Sequence, residues 1–193
     1  MTIKVVAGML AAVTLLPWQA LAQDSGELLL SSRQAATELI QQLGAQLKAE
    51  LAQGGPEAAI TVCRDVAPQI AGRLSREHGW HVARVSLKTR NPLLGMPDAW
   101  EQAVLADFDH MATAGEKPEQ LEHAEVVQEP SGSYYRYMKA IPVQPLCLVC
   151  HGSREAIAPG VAARLQADYP HDQATGYALG QIRGAVTIKQ PLQ

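Results

Sequence analysis

The chain has 193 residues, a formal net charge of −3 and few aromatic side chains, 5% in all. The mild acidity argues against nucleic acid and against an anionic membrane surface as partners. The length suffices for one domain with its own core.

Lys4 supplies a positive start, and Val5 to Leu16 form an apolar run interrupted only by Gly8 and Thr14. Ala20-Leu21-Ala22 is an A-x-A cleavage site. Residues 1–22 therefore read as a secretory signal peptide cut after Ala22. The run is shorter than the ~20 residues of a spanning helix. The expected compartment is the periplasm, with no membrane span after cleavage.

Residues 23–56 form an N-terminal amphipathic segment, and 57–193 form the main domain. After a short leader at 23–30, apolar residues at Ala36, Leu39, Ile40, Leu43, Leu47 and Leu51 predict a helix over 31–53. Ser31 or Ser32 is its expected cap, and Gly54-Gly55-Pro56 its stop. Its stripe packs on its own domain, on a partner or on a second copy. A second helix is expected over 57–78, with Ala59, Val62, Cys63, Val66, Ile70 and Leu74 inward and a kink or break at Pro68. Period-two alternation predicts a strand over 81–89. A helix follows over 97–114, with Trp100, Val104, Leu105 and Phe108 inward. Two strands, 121–129 and 133–141, flank a turn at Pro130-Ser131-Gly132. A helix over 153–168, breakable at Pro159-Gly160, a loop over 169–180 and a final strand over 183–190 complete the set. The fold class is α+β, with four strands in an antiparallel sheet and helices before and between them.

The run Cys147-Leu148-Val149-Cys150-His151 carries the chemistry. C-x-x-C-H is the spacing of covalent c-type haem attachment: two cysteines on one turn make the thioethers, and the adjacent His151 reaches the iron as proximal ligand. A redox dithiol would sit in a βαβ setting, which is not visible here. A zinc site needs a second Cys/His pair, which is missing. Haem attachment outside the cytoplasmic membrane agrees with the export signal.

Cys63 is left over in an oxidising compartment. It competes for the sixth iron position with Met96, Met111, Met138 and His78, His81, His110, His123 and His171. Residue types alone leave that choice open. A closed iron favours electron transfer or redox sensing, and an open one favours gas binding or peroxide chemistry. No paired distal His and Arg suited to a haem peroxidase or reductase stands out, so an enzyme is not the expected reading.

Several longer runs resemble a known family. They are Ile60-Thr61-Val62-Cys63, the stretch from Arg84 to Pro92, Pro97-Asp98-Ala99-Trp100-Glu101, Cys147 to Gly152, Tyr169-Pro170-His171-Asp172, Gly176-Tyr177 and Gly180 to Gly184. Together they resemble periplasmic single-haem proteins with a PAS-like domain, first described from cyanobacteria, over about residues 58–188. The resemblance implies a PAS-like antiparallel sheet with flanking helices enclosing one covalent haem c. It also implies His/Cys axial ligation, with Cys63 opposite His151. The stretch Leu93-Leu94-Gly95-Met96 looks longer and more apolar than the family's usual run, which makes Met96 a rival to Cys63. Arg84, Lys88, Arg90 and Arg183 are candidates for the haem propionates. The expected function is a redox or gas sensor module, opening to CO or NO on reduction. It would signal to a redox partner or a membrane output protein. The alternative is a periplasmic single-haem electron-transfer cytochrome c.

Overall fold

The computed structural model describes the backbone of residues 17–192 and the side chains of residues 25–192. The expected signal peptide, 1–22, lies outside the described residues apart from the backbone of 17–22. The chain runs α1 (Pro17–Gln53), α2 (Gly55–Thr61), a wide π-turn (Val62–Val66) and α3 (Ala67–His78). Then come β1 (His81–Val85), α4 (Pro92–Gly95), α5 (Ala99–Thr113), β2 (Glu122–Glu129) and β3 (Gly132–Pro142). Last are α6 (Leu148–His151), α7 (Pro159–Asp168) and β4 (Ile182–Pro191). The four strands form one antiparallel sheet in the order β1-β4-β3-β2. No described helix is long and apolar enough to cross a membrane.

The N-terminal helix begins earlier than its stripe suggests. Ser31 and Ser32 lie inside α1 and do not cap it. The Ser31 hydroxyl donates back to the Leu28 carbonyl at 3.0 Å, which lets a serine sit within a helix. Ser32 is fully buried and accepts from the Gln190 amide at 2.6 Å. Ala35, Ala36 and Leu39 pack with Ile70 and Leu74 of α3 and with Tyr137, Val186 and Ile188 of the sheet. The stripe thus covers one sheet face of its own domain.

A polar tether adds to that packing. Arg33 donates to both carboxylate oxygens of Glu122, and the Tyr137 hydroxyl donates to Glu122 at 2.8 Å. These partners, Arg33 first, hold the Glu122 carboxyl below its ordinary range. A carboxyl depressed in the folded state stabilises the fold above its unfolded pKa of about 4.3 and loses that effect as pH falls through the folded value. Arg33 is half exposed, so solvent screens the tether and its contribution is small. Glu122→Gln should cost a small amount at pH 7 and less at pH 3 in urea denaturation. An equal loss at both pH values would reject the tether.

The expected second helix is split. Pro68 has no N–H to give the Arg64 carbonyl, and the chain widens just before it, with the Ala67 N–H reaching Val62 five residues back. Strand β1 is shorter than its alternation suggests. It stops at Val85 because the Ser86 hydroxyl turns the chain, bonding Lys88 and Arg183 carbonyls at 3.0 and 2.8 Å. Leu87, expected on a strand face, is exposed. The expected helix over 153–168 begins only at Pro159, whose ring suits a first turn. On the other sheet face, Val104, Leu105 and Phe108 of α5 are buried against Met138, Ala140 and Ala185.

Candidate haem site

The C-x-x-C-H run follows β3 through a tight turn at Pro145–Cys147 and winds into α6. Gly152 closes it. Its N–H bonds the Leu148 carbonyl at 2.9 Å, and a Cβ there would lie 2.7 Å from that same oxygen. All three cysteines are free thiols. Burial pushes the Cys150 thiol above its ordinary range, which keeps it protonated.

His151 is held by its far nitrogen. Nδ1 lies 2.6 Å from the Ala174 carbonyl oxygen. A carbonyl only accepts, so Nδ1 carries the proton and the Nε2 lone pair is left for another partner. Burial keeps the imidazole neutral, with Arg183, Arg90 and Arg84 disfavouring its charge further. A neutral ring with its second nitrogen bonded to a carbonyl is the state of a metal-ligating histidine.

Arg90 fixes the loop that does this. It is buried and donates to Asp172 at 3.0 Å, to the Cys150 carbonyl at 2.6 Å and to the Ala174 carbonyl at 3.3 Å. Asp172 in turn accepts from the Ala174 N–H at 2.7 Å. One guanidinium thereby ties the C-x-x-C-H turn to the carbonyl that orients His151.

Cys63 sits on the π-turn opened by Pro68. Arg64 beside it reaches Asp168 at the end of α7, 3.0 Å away, and so anchors the turn. Cys63 lines two cavities. The smaller, about 30 Å³, also touches Cys147, Cys150, His151 and Arg90. The larger, about 480 Å³, runs between α3 and β1 and is lined by Ala67, Ala71, Gly72, Arg84, Arg90 and Arg183 among others. The larger cavity alone does not touch the C-x-x-C-H run. The two spaces share Cys63 and Arg90, so the site is their union.

The rivals for the sixth position are elsewhere. Met138 is fully buried in the sheet core, and Met111 packs beside it. Met96 is 62% exposed and does not line either cavity. His78 stacks on Trp80 at the surface. His123 meets Glu125 at 3.2 Å. His110 and His171 are exposed. His81 alone among these lines the larger cavity. Among the described residues no three His, Cys, Asp or Glu side chains form a metal cage of the zinc kind.

Residues 18–191 match the family described as Tll0287-like. The chain belongs to the Tll0287-like family. Among solved structures it is similar to the cyanobacterial heme-protein Tll0287, with 22% identity, a TM-score of 0.59, and coverage of 89% of this chain and 96% of that one. At that identity the likeness is one of fold. The comparison with curated proteins finds no match. The Tll0287-like match takes in α1, which the sequence motifs left outside their range.

Sequence reasoning missed the parts that position the site. Asp172 belongs to a run noted only for its likeness and Ala174 to none, and their roles depend on bonds to Arg90 made across more than eighty residues. No local signal marks them.

Proposed function

We propose that this chain is an exported haem c protein of PAS-like type, working as a periplasmic redox or gas sensor module. Cys147 and Cys150 would carry the haem, and His151 and Cys63 would hold its iron. Attachment would add each cysteine S–H across a vinyl double bond, sulfur to one carbon and hydrogen to its neighbour, with no oxidant consumed. The observation that carries this reading is the convergence of Cys63, Cys147, Cys150 and His151 on one small space, with a larger slot on the other side of the shared lining residues Cys63 and Arg90. The volume of that slot lies within the usual range for sites of small ligands and cofactors. The kinship with a heme-protein supports it further.

When bound, haem supplies a one-electron ferric/ferrous couple and, once a ligand leaves, a site for CO or NO. The chain's own residues set the terms. Ala174 holds the His151 ring in the right tautomer, and Arg90 holds Ala174. Cys63, as an anionic donor, favours the ferric state and is the ligand most easily lost on reduction or protonation. A signal then passes to a redox partner or a membrane output protein.

One observation favours the electron carrier instead. Leu93 and Leu94 are 92% and 57% exposed at the mouth of the larger cavity, an apolar rim suited to transient docking.

The test uses exported protein from a host competent in cytochrome c maturation. Its mass should exceed the bare chain by one haem, and the dithionite-reduced protein should bind CO. A colourless product with the bare mass overturns the haem reading. Covalent haem that excludes CO in both redox states moves the function to the carrier.

A further inference from the structure

Arg84, Arg90 and Arg183 converge on the site and bring three positive charges. Among the described residues only Asp172 answers them, and Arg90 takes it. Arg84 lines the larger cavity and makes no ion pair among the described residues. Arg183 has no carboxylate either. It donates to the Ser86 hydroxyl at 2.8 Å and the Lys88 carbonyl at 3.3 Å, and its Nε lies 3.4 Å from Nε2 of His151. Both arginines are half-buried, which makes their charges costly, and Arg183 is repelled by Arg90 and Arg84. Buried cations are normally paired. This pair therefore fits a ligand bearing two negative charges.

The shape of the slot restricts that ligand. Its α3 wall is lined by Ala67, Pro68, Ala71, Gly72 and Ser75, all small side chains, opposite β1. A planar apolar body carrying two carboxylates fits both the wall and the charges. Lys88 and Arg90, also candidates from the sequence, are already engaged: Lys88 with the Thr175 carbonyl and the Tyr177 ring, Arg90 with the attachment loop.

We infer that Arg84 and Arg183 form a clamp for the two haem carboxylates. The inference rests on the haem reading above. The Arg183 guanidinium is held by a hydroxyl and a carbonyl, both neutral, and has no carboxylate partner among the described residues. Its paired N–H donors suit a carboxylate, with charge-assisted bonds about twice as strong as neutral ones.

The test titrates the full chain, produced without haem attachment, with haemin and with haemin dimethyl ester, whose carboxylates are blocked. The wild-type chain should bind haemin about tenfold or more tighter than the ester. Arg84→Gln and Arg183→Gln should each lose most of that preference while binding the ester as before. Equal affinity for the two porphyrins in the wild-type chain, or full preference retained in both variants, overturns the clamp alone. Failure to bind either porphyrin, with a colourless exported product, overturns the haem reading and the clamp together. Should a variant lose its fold as an apoprotein, resonance Raman of the exported, covalently loaded variant decides. A shift in the propionate bending bands supports the clamp, and unshifted bands overturn it.

Discussion

Cys63→Ala should raise the midpoint potential of the exported protein by on the order of 0.1 V or more, part of the roughly 0.8 V that axial ligands span. It should also erase the low-spin ferric EPR signal of a thiolate-ligated haem. The expectation follows from placement. Cys63 is the residue through which the large slot meets the attachment turn. Its π-turn is fixed on one side by Pro68 and on the other by Arg64 bound to Asp168. A sulfur anion there would stabilise ferric over ferrous iron, and its removal leaves a methyl group that donates nothing. Met96→Ala is the matched control, because that side chain is exposed and outside both cavities. His81→Ala tests the other sixth-position candidate from the sequence that lines the slot. An unchanged spectrum in Cys63→Ala, with a changed one in His81→Ala or Met96→Ala, would reassign the sixth position.

What could be read in advance follows the range of each interaction. The C-x-x-C-H spacing is local to one turn, so Cys147, Cys150 and His151 are visible as a string. The helices announce themselves through apolar spacing, and Pro68 announces its break, because both effects act within a few residues. The start of α1 was misplaced for a physical reason. A serine hydroxyl serves equally well as a cap or as a donor to the preceding turn, and only the burial of Ser32 against Gln190 decides between them. The end of β1 was misplaced because Ser86 bonds to Arg183, 97 residues on. The division of labour among Arg84, Lys88, Arg90 and Arg183 is of the same kind. Their residue type is constant, and what differs is whether a carboxylate or carbonyl from the 172–175 loop arrives beside them. Cys63 is legible as an inward-facing residue, and the family resemblance pairs it with His151; the small cavity that it lines together with Cys147, Cys150 and His151 is visible only in the folded chain.

Arg136→Ala should destabilise the protein by about 3–5 kcal/mol, the usual result of stripping one partner from a buried ion network. The guanidinium of Arg136 is nearly inaccessible. It lies 2.7 Å from Asp98, 3.1 Å from Glu101 and 3.5 Å from Glu129, with the Trp100 ring 4.3 Å away. Glu101 is equally buried and also accepts from Thr187 of β4 at 2.7 Å and from the Asp98 N–H at 2.8 Å. The network therefore joins the start of α5 to β3 and β4, the strand that carries Arg183. Alanine leaves the Glu101 carboxylate without its cation in a site closed to water, so it must stay charged at high cost or take up a proton. In a chain of this length the loss should lower the thermal midpoint by roughly 10 °C. The arrangement is not perfectly satisfied, since Arg136 Nε and Glu129 Oε1 are buried without hydrogen-bond partners among the described residues. Apolar replacement is therefore the sharper half of the experiment. Arg136→Met combined with Glu101→Gln removes the cation and the stranded charge together, and it should recover most of the stability lost in Arg136→Ala. If Arg136→Ala costs less than about 1 kcal/mol in urea denaturation, water reaches the carboxylates and the network is a surface feature. If it costs the full amount and the double variant recovers none, the stranded Glu101 charge is not the source of the loss, and the ion pairs of Arg136 with Asp98 and Glu129 are.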